Sequence, residues 1–178
     1  MPVIRGPVRA STLTKEKRDE MFAILQGELA GAAPSNGKAV WEAPLIFEIP
    51  LERLDGPSDR IDVIVVWNAF EDIRSEERSA LILDAYGDRA DMIVQALGAT
   101  REEAMEQYLL PYRILPMEQR ADLDSTESGK AMLDEGGFLI GNRVLLYYPN
   151  RKMADVAIER LFKKAPNARW ALGEDIAR

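Results

Sequence analysis

Residues 61–67, Ile-Asp-Val-Ile-Val-Val-Trp, decide the fold. β-Branched and apolar residues fall on both parities of this run, so a strand here would be apolar on both faces. That is the pattern of a strand inside a sheet and covered from two sides. Immediately upstream, Asp55-Gly56-Pro57-Ser58-Asp59 is dense turn chemistry. Before that, Leu45, Phe47, Ile49 and Leu51 alternate with Ile46, Glu48 and Pro50, a strand expected to bury one face. Pro50 lacks a ladder donor and points to an edge or a strand end. The two runs are expected to form a hairpin.

Further out, Met21, Phe22, Leu25 and Leu29 recur at helical spacing from Thr14 onward, and Gly31–Gly37 closes that helix with a loop. Downstream, Ser75 is a candidate N-cap, with Glu76 and Glu77 placed well against the helix dipole. Leu81, Ile82, Ala85 and Tyr86 form the inward face and Gly87 the stop. Residues 88–97 read as either helix or strand. Thr100-Arg101-Glu102-Glu103 is a capping box, predicting a helix to about Leu110, before Pro111 and a short strand over Tyr112–Leu115. A polar loop over 117–128 leads to a short helix near 127–135, stopped by Gly136-Gly137. Phe138–Ile140 and Arg143–Tyr148 flank Gly141-Asn142, a two-residue hairpin turn. Asn150 caps a last helix with a stripe of Ala154, Ala157, Ile158, Leu161 and Phe162, and Arg169–Leu172 is a final short strand.

The centre therefore reads hairpin–helix–helix and the C-terminal third strand–helix–strand. The expected class is α+β, a mixed, largely antiparallel sheet with helices packed on it. Residues 1–13 read as an irregular arm and 14–178 as one domain, with a subdivision near 117–128 as the alternative. A chain of 178 residues is long enough to bury a sizeable core.

Composition excludes more than it assigns. There is no cysteine and no histidine. Thiolate nucleophiles, disulfides, histidine-based triads and nearly all protein zinc or copper sites are removed at once. No metal and no cofactor is expected, and the lack of cysteine suits a reducing, cytoplasmic setting. The first seven residues hold no apolar run of the signal-peptide kind. The longest uncharged apolar stretch, Val63–Phe70, is far short of a bilayer's width, so no membrane partner is expected. Net charge is −7, unevenly placed. Residues 21–142 carry ten basic and twenty-three acidic side chains, a net of −13; residues 143–178 carry eight and four, a net of +4.

The local motifs fail on their context. Ala32–Ala39 imitates a phosphate loop, but a helix precedes it, a strand follows it, and Ala39 lacks the hydroxyl that would hold magnesium. Asp122-Leu123-Asp124-Ser125-Thr126 resembles the Asp-x-Asp-x-Thr signature of haloacid dehalogenase-like phosphotransferases, but follows a polar run where that family has an apolar strand. A helix-turn-helix around Gly98 would present Glu102, Glu103 and Glu106 to phosphates, so DNA reading by this element is rejected and no DNA partner is expected.

The residues singled out as binding candidates are Trp67 and Asn68 at the end of the central strand, Tyr86, Tyr112 and Arg113 at a strand start, and Tyr147, Arg151 and Lys152 in the basic C-terminal region. No catalytic residue stands out by spacing. The first functional expectation is a non-catalytic protein-interaction module, meeting a protein partner or forming a homo-oligomer through the acidic middle or the hairpin edge. The second is an RNA-contacting protein, with Tyr147 exposed beside Arg151 and Lys152. The third is a small enzyme working through carboxylates and tyrosine.

Overall fold

The computed structural model describes residues 13–31, 43–117, 126–140 and 143–175. The expected N-terminal arm, most of the Gly31–Gly37 loop, most of the 117–128 loop and the Gly141-Asn142 turn lie outside the described residues. Elements follow in the order α1 (Lys15–Leu29), β1 (Leu45–Arg53), β2 (Gly56–Val66), α2 (Ser75–Tyr86), β3 (Ile93–Ala99), α3 (Arg101–Glu106), β4 (Tyr112–Pro116), α4 (Glu127–Asp134), β5 (Phe138–Ile140), β6 (Arg143–Tyr148), α5 (Arg151–Lys164) and β7 (Trp170–Glu174).

The α+β class is as expected, although the strands divide into two sheets. One has the order β1-β2-β3, the other β5-β6-β4-β7. Every strand pairing is antiparallel except β2 with β3. The run 61–67 sits where its pattern demands, in the middle of its sheet. Ile61, Val63 and Val65 face α1 and α2 in a core with Met21, Leu25, Phe70, Leu81 and Ile82. Ile64 and Val66 face the other way, into a second core shared with the C-terminal sheet and α5. β1 follows the same parity, because Phe47 pairs with Ile64 and Ile46 with Val65. It is therefore packed on both faces rather than one. Phe47 reaches the C-terminal sheet edge-on at Tyr148, 6.0 Å between ring centroids.

Residues 88–97, ambiguous in sequence, fall in a 3₁₀ turn over Gly87–Met92 and then β3. β3 is an edge strand, yet its C-terminal half is sealed. The Ser79 hydroxyl donates to the Ala96 carbonyl at 2.8 Å, and Arg78 Nη1 donates to the Gly98 carbonyl at 3.2 Å. Residues 96 and 98 share the parity that points away from β2, so α2 side chains satisfy carbonyls a foreign strand would otherwise use. Gly98 permits this approach: a Cβ there would lie 2.8 Å from Arg78 Cβ and 3.0 Å from Phe70 Cε2.

Three local readings need correction. Ser75 is the first helical residue of α2; Arg74 is the N-cap and supplies no side-chain cap. α3 ends at Glu106, about a turn before Leu110, because the chain turns left-handed at Tyr108. Phe162 is not core: it lies one position past the buried Leu161, about 100° around the helix, and rests half-exposed and edge-on against Trp170. The caps at Thr100 and Asn150 are present as expected.

Candidate functional site

The eight candidate residues fall in three places. Trp67 is buried at the end of β2, T-stacked on Phe70 at 5.5 Å, with its backbone N–H donating to Ala99. Asn68 is exposed, and its Oδ1 accepts the Arg101 backbone N–H at 3.0 Å, tying the ends of parallel β2 and β3 together. Tyr86 lies apart from these, at the end of α2. Its hydroxyl donates to Glu48 at 2.9 Å, and the same carboxylate accepts Arg89 at 3.0 Å, whose guanidinium stands 5.3 Å over the Tyr86 ring.

The other five gather at one end of the C-terminal sheet. Arg113 stands in register between Tyr147 on β6 and Gly173 on β7, and pairs with Asp175 at 3.0 Å. Tyr112 lies opposite Tyr148 and Glu174. Arg151 and Lys152 open α5, both exposed, with Arg151 reaching Asp155 at 3.8 Å. Tyr147 does not have the expected exposure: only 4 % of its surface is accessible. β6 is covered on both faces, with Val144, Leu145, Leu146, Tyr147 and Tyr148 all buried.

The tyrosines share an electrostatic character. Burial, then the Glu48 hydrogen bond and charge, holds the Tyr86 phenol well above its ordinary range. Burial raises Tyr147 and pushes Tyr148 up to about 12. The hydrogen bond to Glu174 raises Tyr112 first, with desolvation adding to it. None of the four is tuned toward a base near neutral pH.

The residues that sequence reasoning missed lie between β3 and β4. α3 is held on its inner face by three devices. Thr100 Oγ1 accepts the Glu103 N–H at 3.2 Å while Glu103 Oε2 accepts the Thr100 N–H at 3.0 Å, the reciprocal capping box. Arg78, 7 % exposed, grips the same carboxylate with both Nη atoms, Nη2 to Oε1 at 3.1 Å. Ala104 and the Arg101 side chain are buried, and desolvation pushes the Arg101 guanidinium down to about 10.

The outer face follows from helix geometry. Glu102, Met105 and Glu106, at spacings of three and four, are all exposed. The helix then ends in a Schellman turn: the Tyr108 N–H donates to Met105 O at 3.2 Å and the Leu109 N–H to Ala104 O at 3.0 Å. The left-handed position of that turn normally belongs to glycine. Here it is Tyr108, at φ 53 and 47 % exposed. Asp72 also has a positive φ, but aspartate visits that region far more readily than an aromatic residue does. Holding a tyrosine there costs backbone stability that glycine would not lose. The one sequence sign was negative: no glycine lies between Thr100 and Pro111 to close a helix.

Among the described residues, no cluster of carboxylates could hold a metal ion, and no helix is long and apolar enough to cross a membrane. The chain matches no family model, no curated protein and no solved structure.

Proposed function

We propose that the protein is a non-catalytic interaction module whose contact surface is the corner formed by α3 and the turn into β4. The observation that carries this reading is Tyr108: an exposed aromatic residue in a backbone conformation where glycine would be more stable. Met105, three residues earlier, is also exposed. Tyrosine and methionine are over-represented where proteins meet, and backbone strain concentrates at functional positions. The anchoring of α3 by Arg78, Thr100 and Glu103 supports the same reading, because a pre-positioned surface loses little entropy on binding.

The two other readings have less support. The RNA reading rests on an exposed Tyr147 beside Arg151 and Lys152, and Tyr147 is buried. The enzyme reading needs a tuned acid or base, and the tyrosines are shifted the wrong way. A cytoplasmic setting belongs to the proposal on the grounds of cysteine usage alone.

A photo-reactive aromatic amino acid placed at position 108 in living cells tests the reading. The expected result is a discrete cross-linked species that disappears when Met105→Glu is added. Failure to cross-link, or the same species from a probe at the fully exposed hairpin tip Leu54, would overturn it.

A further inference from the structure

We propose that β7 is a self-pairing edge: two copies of this chain join antiparallel along it, about a two-fold axis at Leu172, into one continuous sheet. This goes beyond the α3–β4 corner and does not depend on it. The free edges of the two sheets are finished differently. β3 is sealed by Ser79 and Arg78. β1 carries Pro50 and a break of register between Pro50 and Glu52. β5 is three residues long. Each of these blunts an edge against a foreign strand. β7 has no proline, no lysine and no break in its register with β4. Among the described residues no strand lies beyond it, and α5 packs over β4 and β6 instead.

Along the β4–β7 ladder, the Met117 N–H donates to the Arg169 carbonyl at 2.9 Å and the Asp175 N–H to the Pro111 carbonyl at 2.7 Å. Hydrogen-bonded pairs in an antiparallel ladder recur at every second residue. Residues 169, 171, 173 and 175 therefore turn their N–H and C=O groups toward β4, in the register that sets Ala171 opposite Leu115 and Gly173 opposite Arg113. Trp170, Leu172 and Glu174 turn theirs outward. A second β7 centred on Leu172 matches these groups in full: Leu172 bonds to its own copy, and Trp170 of each strand bonds to Glu174 of the other.

The order of charges names the occupant. The segment runs Arg169-Trp170-Ala171-Leu172-Gly173-Glu174-Asp175, positive at one end and negative at the other. An antiparallel copy of the same strand complements that order. In the register centred on Leu172, Arg169 of each copy lies opposite Asp175 of the other. These are non-hydrogen-bonded positions, where facing side chains come closest. Arg169 is exposed and has no ion pair among the described residues. Asp175 binds Arg113 at 3.0 Å, and a carboxylate can accept from a second cation. Between the charged ends, Ala171 faces Gly173 of the other copy, with no bulk to hold the strands apart. Parallel in-register pairing would set Arg169 against Arg169 and Asp175 against Asp175. A shift of two residues along the antiparallel strand would lose the charge pairs.

Sedimentation velocity on the full chain, over a concentration series, tests this. An edge contact of this length is small, so the sedimentation coefficient should rise from monomer to dimer over roughly 1–100 µM. Arg169→Glu should weaken the dimer about tenfold or more, because each dimer then holds two repelling pairs. Its altered side chain is exposed, so its circular dichroism should match wild type. Glu174→Pro removes an outward N–H while every donor to β4 remains, and should leave a monomer over the same range. The chain has no cysteine, so one introduced thiol reports the register. Mild oxidation of Leu172→Cys should give a disulfide-linked dimer, since facing Cα atoms of a hydrogen-bonded pair lie about 5.5 Å apart. Leu54→Cys, at the fully exposed hairpin tip of the other sheet, should not.

A wild-type chain that is still monomeric at about 100 µM overturns the proposal. So does a dimer that survives both Arg169→Glu and Glu174→Pro, or a Leu54→Cys chain that links as readily as Leu172→Cys.

Discussion

The guanidinium of Arg78 on α2 and the carboxylate of Glu103 on α3 meet fork to fork, while Arg78 also donates from Nε to the Ile73 carbonyl at 2.7 Å. One buried cation thus binds two helices, the turn before α2 and the edge of β3, and its ring neighbour Phe70 lies 5.7 Å beneath it. Glu103 is also the N3 residue of its own capping box, so the pair couples the start of α3 to the core.

Glu103→Ala should destabilise the fold by about 2–3 kcal/mol, since it leaves a desolvated cation without its carboxylate and removes half of a capping box. Glu103→Gln should cost less, because the amide can still accept from Arg78 and Thr100. The Arg78 hydrogen bonds hold the Glu103 carboxyl below its ordinary range. A carboxyl with a depressed folded pKa stabilises the fold above its unfolded pKa, and that contribution fades as pH falls through the carboxylate range. Urea titrations at neutral and acidic pH should show a smaller acid-induced loss in Glu103→Gln than in wild type.

Tyr108→Gly should stabilise the protein. Relief of left-handed strain is worth about 1–2 kcal/mol, and the unfolded-state entropy of glycine takes back about 0.5–1, leaving a net gain of about 0.5–1 kcal/mol. Tyr108→Val should move the midpoint the other way, because β-branching makes the left-handed region still less accessible. Chemical denaturation of the three proteins checks the order Gly, Tyr, Val.

Gly98→Ala should destabilise by about 1–3 kcal/mol through overpacking. The added methyl group would lie 2.8 Å from Arg78 Cβ, which belongs to the helix backbone's immediate surroundings and cannot swing aside. Thermal denaturation should show a lower midpoint, with no comparable effect from Gly27→Ala, where a new Cβ meets nothing within 4 Å.

Tyr86 should resist ionisation. Its folded pKa is raised by burial and by Glu48, so its contribution to stability is complete below about pH 10 and is lost as pH rises beyond that unfolded value. Alkaline titration followed by tyrosinate absorbance should show Tyr86→Phe removing one late-titrating step. At neutral pH the same substitution should cost about 1 kcal/mol, the net worth of one hydrogen bond to a charged acceptor that keeps Arg89 as a second partner.

Periodicity and end signals determine much of the architecture. The run 61–67 could only be an inner strand, because alternation with no polar parity requires cover on two sides, and the structure supplies α1 and α2 on one side and the C-terminal core on the other. The caps at Thr100 and Asn150 were legible because a side-chain acceptor for orphan N–H groups is a short-range interaction that depends on few residues. The absence of imidazole and thiol chemistry is likewise fixed by composition alone.

What tertiary structure decided is everything that depends on distant groups meeting. The second half of the ambiguous 88–97 stretch became a strand because β2 had an unpaired edge beside it and Ser79 and Arg78 could satisfy the far side. Nothing local to residues 143–148 says that β6 is covered on both faces, which is what buries Tyr147. The left-handed turn at Tyr108 has no local sequence signal, because its strain is tolerated only where the capping box, Arg78 and the buried Ala104 and Leu110 fix the chain on either side.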